Sequence, residues 1–165
     1  MTASTKQLIS DHAKHEIEKW LAKFPADQRR SAVLAALREV QHENGGWLSR
    51  ELMDAVADYL GMPRIAVYEV ASFYSMLETK SVGRHSVSVC NNISCMLRGA
   101  DEIVTHIERK LGVKTGESTS DGRIHLKREE ECLAACCGGP MMMVDHVFHE
   151  NLTPEKVDAI LEGLK

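Results

Sequence analysis

Five cysteines carry the most telling chemistry in this sequence: Cys90, Cys95, Cys132, Cys136 and Cys137, all in the second half of a 165-residue chain. Cys90 and Cys95 are spaced C-x4-C, Cys132 and Cys136 are spaced C-x3-C, and 36 residues separate the pairs. One cysteine alone is most often a small buried hydrophobe. Two spaced pairs in a reducing compartment point to metal or redox chemistry. Thiol–disulfide exchange in the C-x-x-C manner is given little weight, because no C-x-x-C occurs. A structural zinc site is open to the same thiolates, although zinc knuckles commonly use the tighter C-x2-C. A [2Fe–2S] rhomb needs two outside ligands at each of two irons, and two separated pairs meet that need. Cys137 could replace Cys136 at C-x4-C spacing from Cys132. Cys136 is the expected ligand and Cys137 a thiol packed beside the site.

The flanking residues fit a charged sulfur site. Asn91-Asn92-Ile93-Ser94 can turn backbone N–H groups toward sulfur, and a helix after Cys95 would aim its N-terminal dipole there. Gly138 and Gly139 permit close backbone approach. Arg84 and Arg98 can offset negative charge, and solvated surface roles compete with that. Met141-Met142-Met143 reads mainly as strand core. The eight histidines are scattered, with close pairs only at His12/His15 and His146/His149, and are read as surface residues. Phe73 and Tyr74 are read as core. No G-x-G-x-x-G or G-x-x-x-x-G-K-[ST] motif is present, so no nucleotide site is expected in this chain.

The elements that must position the cysteines change character along the chain. The first half has helical period. Ser10 caps a helix carrying Ile17, Trp20, Leu21 and Phe24. A second carries Val33, Leu34, Leu37 and Val40 and stops at Gly45-Gly46. Ser49 caps a third with Leu52, Val56, Tyr59 and Leu60 inward, Leu48 and Met53 as a hydrophobic staple, and Gly61 as its stop. Pro63 suits the first turn of a fourth helix with Val67, Val70, Ala71 and Tyr74 on one face. The second half alternates instead. His85–Val89 reads as a strand running into Cys90, Ile103 to Leu111 as a helix ending at Gly112, and Ile124 and Leu126 as a strand after the Asp121-Gly122 turn. Met141–Val144 and Val147-Phe148 read as paired strands about Asp145-His146, and Thr153-Pro154 opens a last helix. The fold class is α+β: a four-helix N-terminal domain, 1–80, then an α/β domain, 81–165, in the order β-α-β-β-β-α.

Charged residues make up 27% of the chain and the net charge is −4, with neither half basic, so no footprint for nucleic acid or an anionic membrane is expected. No apolar run reaches the ~20 residues of a membrane span, and the start lacks a secretory signal. A cytoplasmic chain, or a member of a larger assembly, is expected.

The residues from about 30 to 165 resemble a known family. Val89-Cys90-x4-Cys95-Met96-Leu97-Arg98, Glu131-Cys132-Leu133-Ala134-Ala135-Cys136 and Pro140 are similar to the thioredoxin-like [2Fe–2S] ferredoxins that serve as the 24 kDa, or E-type, subunit of NADH:quinone oxidoreductase. Asn44-Gly45-Gly46-Trp47-Leu48, Val67–Tyr74, Val82–His85 and Leu111–Glu117 extend the likeness. The resemblance implies a thioredoxin-like second domain and a [2Fe–2S] cluster on Cys90, Cys95, Cys132 and Cys136. It also implies a partner flavoprotein in which NADH reduces FMN, the cluster then accepting one electron. It places the chain in a larger respiratory complex on the inner face of the bacterial inner membrane, with the N-terminal helices docking the flavoprotein. The equivalent diaphorase subunit of an NAD-linked hydrogenase or formate dehydrogenase shares these motifs. The chain departs from the family at Ala134, commonly Gly, at Gly139, often Ala, and in its additional Cys137.

Overall fold

The computed structural model describes residues 8–127 and 132–165. Its contacts divide the chain into two compact units, Met1–Ser81 and Val82–Lys165.

The first unit contains α1 (Asp11–Leu21), α2 (Val33–Glu43), α3 (Arg50–Leu60) and α4 (Arg64–Phe73), with a 3-10 turn at Arg29–Ala32 leading into α2. The caps follow the local chemistry. Ser10 Oγ accepts from Ala13 N–H at the start of α1, and Ser49 Oγ from Leu52 N–H at the start of α3. Gly61 ends α3 in the left-handed conformation, φ 69°. Ile17, Leu37, Leu48, Val56 and Val67 are fully buried and join one core. Burial of each such side chain contributes roughly 1.5–3 kcal/mol. The segment after α4 is tied back onto α2 and the loop before α3. Glu78 N–H donates to Gln41 Oε1 (2.8 Å), and Leu48 N–H donates to the Glu78 carbonyl (2.7 Å).

Two expectations for α4 fail. Pro63 stands outside the helix as its N-cap. Phe73 and Tyr74 are not core: Phe73 is 80% exposed, and Tyr74 turns into extended backbone at the helix end. Their rings stack edge to face against each other, 5.1 Å between centroids.

The second unit is a five-stranded mixed sheet in the order β2-β3-β1-β4-β5, built from β1 (His85–Val89), β2 (Glu117–Ser118), β3 (Ile124–Leu126), β4 (Met142–Val144) and β5 (Val147–His149). The parallel pair is β1 with β3, residue 85 opposite residue 124. The long crossover between them carries α6 (Ala100–Leu111), as a parallel connection requires. β1 pairs antiparallel with β4, residue 87 opposite 144, and β4 with β5. Val87 and Val89 of β1, Ile124 and Leu126 of β3, and Met142 and Val144 of β4 pack against Ile103 and Ile107 of α6 and Val157 and Leu161 of α7 (Pro154–Gly163). Thr153 caps α7, its hydroxyl accepting from Lys156 N–H.

The β4–β5 turn places Asp145 and His146 at φ 47° and 71°, the doubly positive geometry of a tight hairpin. Asp145 offsets that strain through β1: its Oδ1 accepts from Ser86 N–H (2.8 Å), and its Oδ2 lies 2.6 Å from His85 Nδ1. Not every histidine is a surface residue. His125 on β3 is buried, its Nδ1 3.0 Å from Ser118 Oγ on β2.

Candidate metal centre

Each cysteine pair is placed by a strand end and a short turn. Cys90 follows β1 directly, and its N–H donates to the Met141 carbonyl (3.1 Å) just before β4. Asn92 caps a four-residue helix, α5 (Ile93–Met96), and Cys95 lies inside it. A short helix that periodicity passes over therefore contains Cys95, and the expected helix follows it as α6. On the other side, Cys136 opens a 3-10 turn, Cys136–Gly138. That turn is anchored by Asn151 N–H to the Gly138 carbonyl (2.6 Å) and by Leu152 N–H to the Pro140 carbonyl (2.9 Å). The Gly139–Pro140 peptide is cis.

These elements bring sulfur from both loops together. The Cys90 thiol is within hydrogen-bonding reach of Cys95 and Cys132, and the charge of Cys136 bears on Cys95. Cys90, Cys95, Ala100, Leu133 and Met141 form one buried cluster, with Ala135 and Met143 packed against it. Cys132, Cys136 and Cys137 are exposed. The site thus has an apolar floor and a solvent-facing rim. Met141 belongs to that floor and Met142 to the sheet core, so the methionine run divides between the two.

Backbone N–H groups point at the sulfurs. Leu133 and Asn92 donate to Cys90, Met141 donates to Cys95, and Ala134 donates to Cys132 Sγ at 3.3 Å. Burial pushes the Cys90 thiol up, but the N–H groups of Leu133 and Asn92 and the neighbouring thiols outweigh it, leaving Cys90 below the ordinary thiol value. Burial pushes Cys95 up as well, and the adjacent Cys90 adds to it; Cys95 reaches about 11. The first proton to leave the pair therefore comes from Cys90, and the second is held more tightly on Cys95.

The two glycines act differently. A Cβ on Gly139 would stand 3.1 Å from Cys95 Sγ, so its backbone does approach the site closely. A Cβ on Gly138 would collide with Glu150 instead, so that glycine serves the packing of the loop. Ala134 sits at φ 60°, a left-handed conformation that glycine adopts more readily. Arg98 reaches across to the second loop, where its Nη1 donates to the carbonyls of Cys137 and Gly139, each at 3.2 Å. Arg84 is exposed, its backbone N–H held by the Gly122 carbonyl (3.0 Å). Of the motif residues, Glu131 lies outside the described residues.

The N–H donors of Leu133 and Ala134 escape sequence reasoning, because backbone direction depends on how the loop closes. Ala134 alone leaves a trace, at a position where the resembled family commonly has glycine. Among the described residues, no three His, Cys, Asp or Glu side chains are gathered for a single metal ion. A two-iron rhomb asks for two sulfurs at each iron and needs no such trio. The donor set fits that group: soft thiolates from two loops, and N–H groups able to stabilise their charge.

The model of the family described as thioredoxin-like [2Fe-2S] ferredoxin matches residues 17–165. The E-type subunit of NADH-quinone oxidoreductase from Rickettsia bellii (strain RML369-C) is 41% identical over 145 residues, 88% of this chain and 86% of that protein. The mitochondrial NADH dehydrogenase [ubiquinone] flavoprotein 2 of Dictyostelium discoideum is 41% identical over 150 residues, 91% of this chain and 60% of that protein. In solved structures, an air-oxidised NAD+-reducing [NiFe]-hydrogenase superposes with a TM-score of 0.69 at 19% identity, over 80% of this chain and 22% of the hydrogenase chain, a likeness of fold.

Proposed function

Because this chain belongs to the thioredoxin-like [2Fe–2S] ferredoxin family, we propose that Cys90, Cys95, Cys132 and Cys136 hold its cluster and that the chain is the electron-transfer subunit of an NADH:quinone oxidoreductase. When bound, such a cluster takes up and returns one electron at a time. The observation that carries the assignment is the coupling of thiols from two distant loops, Cys90 feeling both Cys95 of its own loop and Cys132 of the other.

The chain's own residues do the rest. The buried floor of Leu133, Ala100 and Met141 excludes water from one side of the sulfurs. The N–H groups of Leu133, Asn92, Met141 and Ala134 hold negative charge on sulfur, which raises a reduction potential in this class of site. The exposed rim at Cys132 and Cys136 is the side open to an electron partner. That partner is a flavoprotein carrying FMN and the NADH site. Exposed Ile65, Phe73 and Met76 on and after α4 support the helical unit as its docking surface. The complex sits on the inner face of the bacterial inner membrane; among the described residues no helix is long and apolar enough to cross a membrane.

Anaerobic purification tests this reading. Iron and acid-labile sulfide are expected at two each per chain, with a visible chromophore and an EPR signal on reduction. Colourless, EPR-silent protein with stoichiometric zinc overturns the cluster assignment. Co-purification with hydrogenase or formate dehydrogenase subunits, instead of quinone-reducing ones, overturns the choice of complex.

A further inference from the structure

We propose that Arg98 is a positioning residue for the metal centre, latching the second cysteine loop onto the first and holding a positive charge on that loop. The inference rests on the ligand assignment above. Arg98 stands three residues after Cys95, and its backbone N–H donates to the Cys95 carbonyl (3.0 Å), so the base of its side chain is fixed to the first loop. Its Nη1 spans Gly138 to reach the carbonyls on either side, those of Cys137 and Gly139, at 3.2 Å each. Its stem runs beside Gly139: the Cβ that Gly139 lacks would lie 3.5 Å from Arg98 Cδ and 3.1 Å from Cys95 Sγ. One side chain therefore ties Cys95 to the turn that carries Cys136.

Two consequences follow from its chemistry. Each terminal nitrogen of the guanidinium carries two N–H donors and the group stays charged, so Nη1 can serve two carbonyls while the side chain remains a cation. A cation held on the loop that carries Cys136 favours negative charge there, and so the more negative, reduced state of the site. Arg98 is exposed, so this charge effect is screened by salt, whereas the carbonyl latch is much less so.

The test compares the full-length wild type with Arg98→Gln and Arg98→Lys, each loaded anaerobically. EPR-monitored redox titrations at low and high salt read the charge, and the rate of iron loss to a chelator reads the latch. In Arg98→Gln the midpoint is expected to fall at low salt by up to roughly tenfold in the one-electron equilibrium, about 59 mV. The difference should shrink at high salt, and iron should leave roughly 10-fold faster. Arg98→Lys should restore the midpoint but not the retention, since the lysine ammonium ends one bond short of where Nη1 meets the two carbonyls. A loaded Arg98→Gln protein with an unmoved midpoint overturns the charge role of Arg98 and leaves the ligand assignment standing. A wild type that holds no cluster overturns the assignment itself, and this inference with it. Should Arg98→Gln fail to load, Arg98→Lys carries the test. A wild-type midpoint with faster iron loss supports the latch, and no difference from wild type in either measurement overturns it.

Discussion

Cys90 and Cys95 lie side by side in the same apolar floor, yet one is held below and the other above the ordinary thiol value. The difference lies in what each sulfur meets: Cys90 receives two backbone N–H groups, whereas Cys95 receives one and faces the charge of its neighbour. Replacing Cys90, Cys95, Cys132 or Cys136 with Ser should lower iron content or shift the EPR spectrum strongly, and Cys137→Ser should leave both nearly unchanged. If Cys137→Ser bleaches the protein and Cys136→Ser does not, the fourth ligand is Cys137. Ala134 offers a second test at this scale. A left-handed non-glycine residue costs roughly 1–2 kcal/mol, and glycine's added chain entropy costs roughly 0.5–1 kcal/mol. Ala134→Gly should therefore stabilise the folded chain by up to about 1 kcal/mol in urea denaturation. Spacing alone makes these cysteines candidates, because ligand chemistry constrains spacing. It says nothing of Leu133 or of the reach of Arg98, because those depend on which backbone groups face inward after the loops close.

The elements that hold the site are legible where the sequence is long and punctuated. Ser10, Ser49, Gly61, Gly112 and Thr153 mark helix ends that the structure contains. α5 and β2, four and two residues long, carry too few positions to show a period, and periodicity passes over both. Tyr74 is misplaced by spacing because it continues the helical pattern one residue past the point where the backbone straightens. The cap of α3 gives a direct stability prediction: Ser49→Ala should cost about 1 kcal/mol, read as a lower midpoint of thermal or urea unfolding. The hairpin turn at Asp145 gives a pH dependence. Asp145 and the Lys165 carbonyl hold the proton on His85 and raise its pKa above the ordinary 6.5. A raised folded value means stability fully present below 6.5 and lost as pH rises through the folded value. Wild type should thus lose stability relative to His85→Gln as pH rises above 6.5 through the raised folded value. Parallel urea midpoints across that range would refute the link.

At the scale of the whole molecule, the helical unit and the sheet unit each have their own buried core, and all five cysteines fall in the second. Residues 82–165 expressed alone are therefore expected to bind iron and show the same visible spectrum. A colourless, unfolded fragment would mean that the sheet depends on the helices. The change from helical to alternating period makes this division readable, whereas strand order is not, since the same strands admit several pairings. The observed order puts β1 in the middle, with no ladder partner among its near neighbours in the chain: residue 85 meets residue 124 and residue 87 meets residue 144. Long loops must close before the central strand gains anything, and such closures slow folding. The β4–β5 and β2–β3 ladders are local and can zip early. Cys90, at the tip of the last strand to be gripped, then reaches its place at the end of assembly, so refolding from denaturant should set the pace of iron uptake.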